Sequence, residues 1–329
     1  MSTKISSPAG LLEIVNGFRK SRIILSAFEL GIFTNLAGGA MSGQSMADKI
    51  TADPRATDRL MNALVAIGLL EKSGGVFSNT PFSAKFLVTT EPAFLGGLSH
   101  QVHLWKTWSS LTEAVRKGHS VTIKESIGKR DENWLQSFIA AMHSRTQQAR
   151  GVAELVDLSH TKTMLDVGGG SGAFSYAFIS INKDIVSTIF DLPTVTPITQ
   201  TYIEKEGYSK SVKTISGDYL KDDFGGKYDL ALVSAVVHIN SREENQLLVN
   251  KCSEALNPGG QLIIMDHIMS EDRTEPEIGA IFAINMLVGT LKGDTYTESE
   301  IRSWMANAGL KNIKVTNTKE ESYLMTGTK

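Results

Sequence analysis

A glycine-rich loop gives this sequence its first chemical signal. The loop lies in the stretch LDVGGGSGAF, residues 165–174. Its spacing fits G-x-G-x-x-[GA] at Gly168, Gly170 and Ala173, the pattern of a dinucleotide site. It equally fits an acid, one spacer and then G-x-G-x-G beginning at Asp166, the pattern of an S-adenosylmethionine site. Both sites need glycine here because the backbone must turn sharply and approach the ligand closely.

The acidic residues near this loop favour S-adenosylmethionine. Asp191 ends the next predicted strand, where a carboxylate can bind ribose hydroxyls in either class of site. Asp166 ends the strand before the loop, where it would repel a pyrophosphate but attract the positive groups of S-adenosylmethionine. Asp218 follows the third strand and can accept from the adenine amino group, with Tyr219 packing beside the ring. Each acid alone fits an ordinary turn, but three at successive strand ends predict a cationic nucleoside ligand.

His238 is the residue best suited to proton transfer. It ends the fourth predicted strand, YDLALVSAVVH, beside the expected cofactor. Histidine as a residue type titrates near neutrality, so it can accept a proton from a hydroxyl that attacks a methyl group. A single histidine is nevertheless more often structural than catalytic. The seven histidines and one cysteine show no metal-ligand spacing, which predicts a site without a metal.

Alternating strands and helices after residue 160 position these side chains. The five predicted strands are TMLDVG, DIVSTIFDL, SVKTIS, YDLALVSAVVH and GQLIIMDHI. A helix between the last two strands begins with a possible capping box at Ser241 and Glu244 and stops at residues 257–259. This alternation predicts an α/β fold with a doubly wound parallel sheet and a ligand site at the carboxyl ends of its strands.

The first 150 residues are predicted to be mainly helical. Residues 11–30 carry apolar side chains at helical spacing, and residues 42–50 form a short helix. Asp53 as N-cap and Pro54 begin a longer helix. The stretch LLEKSGGVFSNT then predicts two strands joined by a glycine turn. We interpret this arrangement as a winged helix, whose mixed charges favour dimerisation over DNA binding, since a DNA reader needs a clustered basic surface.

Length and composition limit the class of protein. A chain of 329 residues with 41% hydrophobic and 21% charged residues predicts a globular protein of two domains with a sizeable core. The formal net charge of −2 gives no bulk attraction to nucleic acid or to an anionic membrane. The single cysteine, Cys252, excludes an internal disulfide and fits a cytoplasmic location. No stretch reaches the roughly 18 to 20 apolar residues of a membrane helix, and no secretory signal pattern opens the chain.

Taken together, the motifs resemble one family. LDVGGGSGAF, FDLP, GDYL, DLALVSAVVH and LNPGGQLIIMD are similar to motifs of the second family of class I small-molecule O-methyltransferases, which includes plant caffeic-acid and mammalian hydroxyindole enzymes. The resemblance covers nearly the whole chain, and AFELGIFTNL resembles the opening helix of that family's dimerisation domain. It implies a Rossmann-like methyltransferase sheet preceded by an all-helical winged-helix dimerisation domain.

This resemblance implies a function and a domain plan. The expected reaction is methyl transfer from S-adenosylmethionine to a hydroxyl of a small aromatic or polycyclic metabolite, with S-adenosylhomocysteine as product. A homodimer, a metal-free site, and no nucleic-acid or membrane partner are expected. The predicted parts are a winged-helix domain over residues 1–95, a helical connector lining the substrate pocket over 96–158, and the methyltransferase domain over 159–329.

The resemblance also assigns individual residues. His238 falls on the family's general base, and Asp266 falls on the first of two carboxylates that orient that base, as Asp rather than the usual Glu. The predicted cofactor contacts are Asp166, Gly168, Gly170, Asp191, Leu192, Asp218, Tyr219 and Ser234. The predicted pocket residues are Met142, which matches a family position facing the methyl site, and His143, Phe138, Phe282, Asn285 and Met286. Helical spacing leaves core packing open for Phe138, Phe282 and Met286.

Three positions depart from the family pattern. Ile239-Asn240 follows the base instead of Asp-Trp, Thr295 stands where the second orienting carboxylate is usual, and Ser234 replaces a frequent lysine. Asp294 and Glu298 lie near Thr295 but out of register. These departures leave two further functions open on the same fold: methylation of carbon or a non-methylating role. A cofactor-sensing DNA regulator that uses the winged helix is a third alternative.

Overall fold

The chain divides into two compact units, Met1–His103 and Leu104–Lys329. The computed structural model describes residues 5–125, 130, 132–143, 146–318 and 323–329, with backbone alone for 146–148. The boundary between the units falls inside a helix. The finer division at residues 95 and 158 stays a prediction. No described helix is long and apolar enough to cross a membrane.

The first unit is a mainly helical domain with a small antiparallel sheet. Its helices are α1 (Pro8–Asn16), α2 (Phe18–Glu29), α3 (Ile32–Asn35), α4 (Gly43–Ile50), α5 (Pro54–Ala66) and α6 (Pro81–Phe86). Its strands, β1 (Met41–Ser42), β2 (Leu70–Ser73) and β3 (Val76–Asn79), pair in the order β1-β3-β2. The predicted cap at Asp53 and the β2–β3 hairpin are confirmed. The three strands correct one detail, since the domain is not helical throughout.

The second unit contains the α/β sheet. Its helices are α7 (Leu98–Trp108, beginning before the boundary), α8 (Leu111–Lys117), α9 (Glu132–His143), α10 (Thr146–Ala153), α11 (Ala173–Ile181), α12 (Thr196–Lys205), α13 (Arg242–Ala255), α14 (Glu277–Gly289) and α15 (Glu298–Asn307). Its main strands are β4 (Thr163–Val167), β5 (Val186–Asp191), β6 (Val212–Ser216), β7 (Tyr228–Ser234), β8 (Leu256–Asp266), β11 (Lys311–Asn317) and β12 (Tyr323–Thr328). Two short strands, β9 (Ile268–Met269) and β10 (Tyr296–Thr297), pair with each other.

The seven-stranded sheet has the order β11-β12-β8-β7-β4-β5-β6. The five predicted strands, β4 to β8, are all present and pair in parallel. The sequence did not predict β11 and β12, which extend one edge in antiparallel orientation. The capping box that starts α13 is also confirmed, because Ser241 and Glu244 exchange hydrogen bonds.

Both faces of the sheet are buried, as expected for parallel strands covered by helices. Met164 packs into one hydrophobic cluster, whereas its neighbours Leu165 and Val167 pack into the other. The carboxyl ends of β4 to β8 therefore meet at a single edge of the sheet. That edge carries Asp166, Asp191 and the other predicted site residues.

Candidate active site

The glycine loop between β4 and α11 has a shape that only glycine allows. Gly168 and Gly170 have φ angles of +67° and +56°. A Cβ atom on Gly168 would lie 2.7 Å from a methyl group of Val236. Gly170 is held on both sides: its amide donates to Asp191 over 2.9 Å, and its carbonyl accepts from the Thr199 hydroxyl over 2.6 Å. The loop is therefore held by the chain's own hydrogen bonds and allows a close approach of a ligand.

His143 lies against this loop. Its Nδ1 is 3.0 Å from the Ser171 hydroxyl, and its ring packs on Tyr202 at 4.4 Å between centroids. Burial lowers the pKa of His143, although the nearby Glu206 carboxylate opposes that change. The structure thus places this residue beside the glycine loop, and its role in the acceptor pocket stays a prediction.

Two carboxylates lie under and beside the loop, that of Asp166 buried and that of Asp191 partly buried. Asp166 is 1% exposed and accepts a hydrogen bond of 2.7 Å from the Ser175 hydroxyl. Burial raises its pKa to about 6, against the effect of that hydrogen bond. Burial also raises the pKa of Asp191 to about 6, although the amides of Gly170 and Leu192 both donate to it. A positive ligand would stabilise the ionised form of both groups.

The turn after β6 forms the next part of the edge. Asp218 accepts from the Leu220 amide over 3.0 Å and pairs with Lys221 over 2.7 Å. Burial opposes ionisation of Asp218, but these partners hold its pKa below the usual value. The Tyr219 hydroxyl donates to the Asn240 side chain over 2.8 Å, and Lys251 from α13 donates to the Tyr219 carbonyl.

His238 and Asp266 form a hydrogen-bonded pair. The prediction that His238 ends the fourth strand is wrong, because β7 ends at Ser234. His238 lies beyond it, on a short 3-10 turn, Val237–Ile239. Its Nδ1 is 2.9 Å from both carboxylate oxygens of Asp266, which is 4% exposed at the end of β8.

The charge of Asp266 determines what the imidazole can do. Burial opposes that charge, but contact with His238 and the amide of His267 holds the pKa of Asp266 below its usual range. Because the ionised carboxylate can only accept hydrogen bonds, Nδ1 carries a proton and donates a hydrogen bond to Asp266. The Nε2 of neutral His238 is then the acceptor, on the opposite side of the ring.

The other flank of His238 is apolar. The Phe282 ring meets the imidazole edge to face, with centroids 4.9 Å apart. Thr295, at the second carboxylate position, is 2% exposed. The acids near it in sequence point elsewhere: Asp294 pairs with Arg273, and Glu298 pairs with Arg302.

The remaining predicted residues separate into two groups. Asn285 accepts from the Trp108 indole over 2.8 Å, one helical turn from Phe282, and Met286 is 6% exposed on the same helix. Phe138 packs with Leu192 in a cluster that joins α9 to the turn after β5. Met142 is half-buried on α9.

Ser234 ends β7 with a buried hydroxyl that has no hydrogen-bond partner among the described residues. Its Oγ therefore has unused capacity to donate and accept hydrogen bonds. The described residues contain no group of three or more side chains able to hold a metal ion, and a metal-free site stays a prediction. Sequence reasoning missed Thr199, which holds the loop, because no motif marks it. Ser171 lies within the glycine motif, but its contact with His143 could not be read from the motif.

The sheet order and the glycine loop define the second unit as a Rossmann-like α/β domain of the methyltransferase type. The family profile of the O-methyltransferase domain matches residues 108–311, and that of the O-methyltransferase dimerisation domain matches residues 12–89. The chain belongs to the O-methyltransferase family, which confirms the resemblance seen in its motifs. It is an S-adenosylmethionine-dependent O-methyltransferase.

Individual relatives match almost end to end. The tetracenomycin polyketide synthesis 8-O-methyl transferase TcmO of Streptomyces glaucescens is 26% identical over 99% of this chain and 98% of its own length. The 3-hydroxy-5-methyl-1-naphthoate 3-O-methyltransferase of Streptomyces sahachiroi is 29% identical over 93% and 90%. The crystal structure of human N-acetylserotonin methyltransferase with S-adenosylmethionine superimposes with a TM-score of 0.82, at 25% identity, over 100% of this chain and 99% of that chain.

Proposed function

We propose that this enzyme methylates a hydroxyl group of a small aromatic or polycyclic metabolite, with His238 as general base. The His238–Asp266 pair carries the proposal, because it leaves Nε2 as a proton acceptor at the sheet edge that holds the glycine loop. The relatives' names support the acceptor class, since they specify a tetracenomycin polyketide and a hydroxynaphthoate. We also propose a cytoplasmic location, consistent with the buried free thiol of Cys252.

The residues at this edge fit S-adenosylmethionine. Bound S-adenosylmethionine supplies a methyl group activated by a sulfonium. The glycine loop allows close approach, and the charges of Asp166 and Asp191 favour a positive ligand. We assign ribose hydroxyls to Asp191 and the adenine amino group to Asp218, and the buried Ser234 hydroxyl is a further polar contact for the cofactor.

The chain's own contribution to the reaction is orientation and one proton transfer. Asp266 keeps the Nδ1 proton in place and stabilises the imidazolium that forms when Nε2 accepts the hydroxyl proton. Phe282 gives this flank an apolar wall, which limits water around the imidazole. Asn285 has its amide oxygen turned to Trp108, so its NH₂ group is available to an oxygen of the acceptor.

The reaction class can be tested with S-adenosylmethionine labelled on its methyl group. The protein is incubated with small phenols, polycyclic hydroxyquinones and host extract, and label is followed by mass. Label recovered as a methyl ether supports the proposal. Label on carbon would replace it with carbon methylation, and a salt-dependent shift of duplex DNA without any transfer would favour a regulator.

Cofactor affinity is expected to fall as the pH is lowered through about 6, where Asp191 and Asp166 take up protons. Protonation removes the charge that favours a positive ligand, so Kd should rise by up to about tenfold per pH unit below 6 for each of the two carboxylates. Calorimetric titration between pH 5 and 8 measures this. Asp191→Asn should make the pH dependence shallower, because only Asp166 then takes up a proton in this range, whereas the exposed control Asp157→Asn should retain the wild-type profile; a flat wild-type profile would contradict the assignment.

The raised pKa values of Asp166 and Asp191 also determine how the stability of the ligand-free protein changes with pH. Both folded pKa values lie above the ordinary value of 3.8. Their contribution to stability is therefore present below about pH 4 and is lost as the pH rises through about 6. The increase in Tm on adding S-adenosylmethionine should consequently be larger at pH 8 than at pH 5.

We propose that the homodimer forms through the first unit, and in particular through α1. This helix buries none of its residues, and Leu12 and Val15 are 57% and 56% exposed. Full burial of a Leu or Val side chain contributes about 2 kcal/mol, so Leu12→Asp with Val15→Asp should raise the dimer Kd at least about 100-fold. Light scattering after size exclusion measures the mass. Leu155→Asp, an equally exposed position in the second unit, is the control, and a double variant that stays dimeric would place the interface elsewhere.

A further inference from the structure

We propose that Asn240 is a positioning residue that links the cofactor-side Tyr219 to the turn carrying His238. Asn240 stands two residues after His238, where the related family usually has Trp, and its side chain is buried at 4% exposure. This inference rests on the proposed function, because it concerns how the base is aligned with the bound cofactor.

The buried Asn240 side chain makes one hydrogen bond through each of its two polar atoms. Its Oδ1 accepts from the Tyr219 hydroxyl over 2.8 Å, and its Nδ2 donates to Oδ1 of Asn245 over 3.0 Å. Its backbone carbonyl accepts from the hydroxyl of Tyr296. These bonds restrict the side chain, since a movement that breaks either of them leaves a polar atom unpaired in a medium of low dielectric.

Asn245 carries this constraint to the base. Its Nδ2 donates to the carbonyl of Val237 over 2.9 Å, and Asn245 is fully buried at the start of α13. The carbonyl of His238 accepts from the Asp294 amide over 3.0 Å. The backbone on either side of the imidazole is thus held by hydrogen bonds, one of which depends on the chain Tyr219–Asn240–Asn245.

At the opposite end of this chain of hydrogen bonds, the backbone of Tyr219 is also held in place. Lys251, also on α13, donates to the carbonyls of Tyr219 and Asp222 over 2.6 and 2.7 Å. One helix therefore fixes both the turn after β6 and the turn after β7. A cofactor that packs against the Tyr219 ring contacts a side chain whose hydroxyl is connected by hydrogen bonds to the 3-10 turn that carries His238. Binding of the cofactor and alignment of His238 are coupled through this link.

Tyr219→Phe tests the link, because it removes the hydroxyl and keeps the ring. We expect kcat to fall about tenfold, about 1.4 kcal/mol in the activation barrier, while KM for S-adenosylmethionine changes less than about twofold. Asn240→Leu should show a similar or larger loss of kcat. The double variant should lose no more than Asn240→Leu alone, since both changes break one chain. Tyr323→Phe, a half-buried tyrosine on β12, is the matched control.

Hydrogen exchange followed by mass spectrometry gives a readout independent of turnover. In the wild type, S-adenosylmethionine should increase protection of the peptide over residues 236–245. In Tyr219→Phe that increase should disappear although calorimetry still shows the cofactor bound. Equal protection in both proteins, or additive losses of kcat, would overturn the proposal. Failure of the proposed function itself looks different, because the wild type would then bind the cofactor and transfer no methyl group.

Discussion

His238→Ala is expected to lower kcat for hydroxyl methylation by about 10² to 10⁴-fold, the usual contribution of a positioned general base. The imidazole is bound to Asp266 and is 13% exposed, so its removal leaves the glycine loop and the buried acids in place. The Kd for S-adenosylmethionine should therefore change less than about threefold, which corresponds to well under 1 kcal/mol. Transfer of labelled methyl groups and calorimetry on the same preparation measure the two quantities.

Methyl acceptors of different hydroxyl acidity can distinguish a histidine that acts as general base from one that is only structural. If His238 removes the proton, the loss in His238→Ala should shrink for an acceptor whose hydroxyl is already ionised at the assay pH. A structural histidine would produce the same loss for every acceptor. His160→Ala, at an exposed loop histidine, should retain full activity. Methylation that survives His238→Ala with a weakly acidic phenol would end the assignment of this residue as base.

The sequence predicted the sheet edge well because a topological rule governs it. Parallel strands joined by helices bring their carboxyl ends together, so Asp166, Asp191 and Asp266 could be placed at one edge from strand patterns alone. The caps at Asp53 and Ser241 followed from local chemistry and are confirmed. The edge strand β11 was not predicted because it is largely exposed and carries no apolar run.

Contacts between distant segments could not be predicted in this way. His143 was predicted for the pocket because of its neighbour Met142, but its contact with Ser171 joins α9 to the glycine loop, and no spacing in the sequence indicates that contact. Asn240 was recognised only as a departure from a family pattern. Its partners Tyr219 and Asn245 come from different elements, so no spacing in the sequence joins them. The position of such side chains depends on packing angles, which periodicity leaves open.

Asp266→Asn is expected to lower kcat by about 10² to 10⁴-fold, because it keeps the shape of the side chain and removes its charge. An amide can donate its NH₂ group to Nδ1, which moves the ring proton to Nε2 and blocks the base. If the amide oxygen accepts instead, the imidazolium loses the negative charge that stabilises it. Either orientation lowers kcat while Kd for S-adenosylmethionine stays within about threefold of wild type.

The pH dependence of stability adds a check on the same pair. The pKa of Asp266 lies below its ordinary value of 3.8, so its ionised form stabilises the fold above that pH, and this contribution is lost as the pH falls through the lowered value. The difference in Tm between wild type and Asp266→Asn should therefore narrow below about pH 4. Asp266→Glu restores the charge in a longer side chain and should recover part of kcat. Equal activity of the Asn and Glu variants would show that Asp266 serves packing, and that its charge does not orient His238.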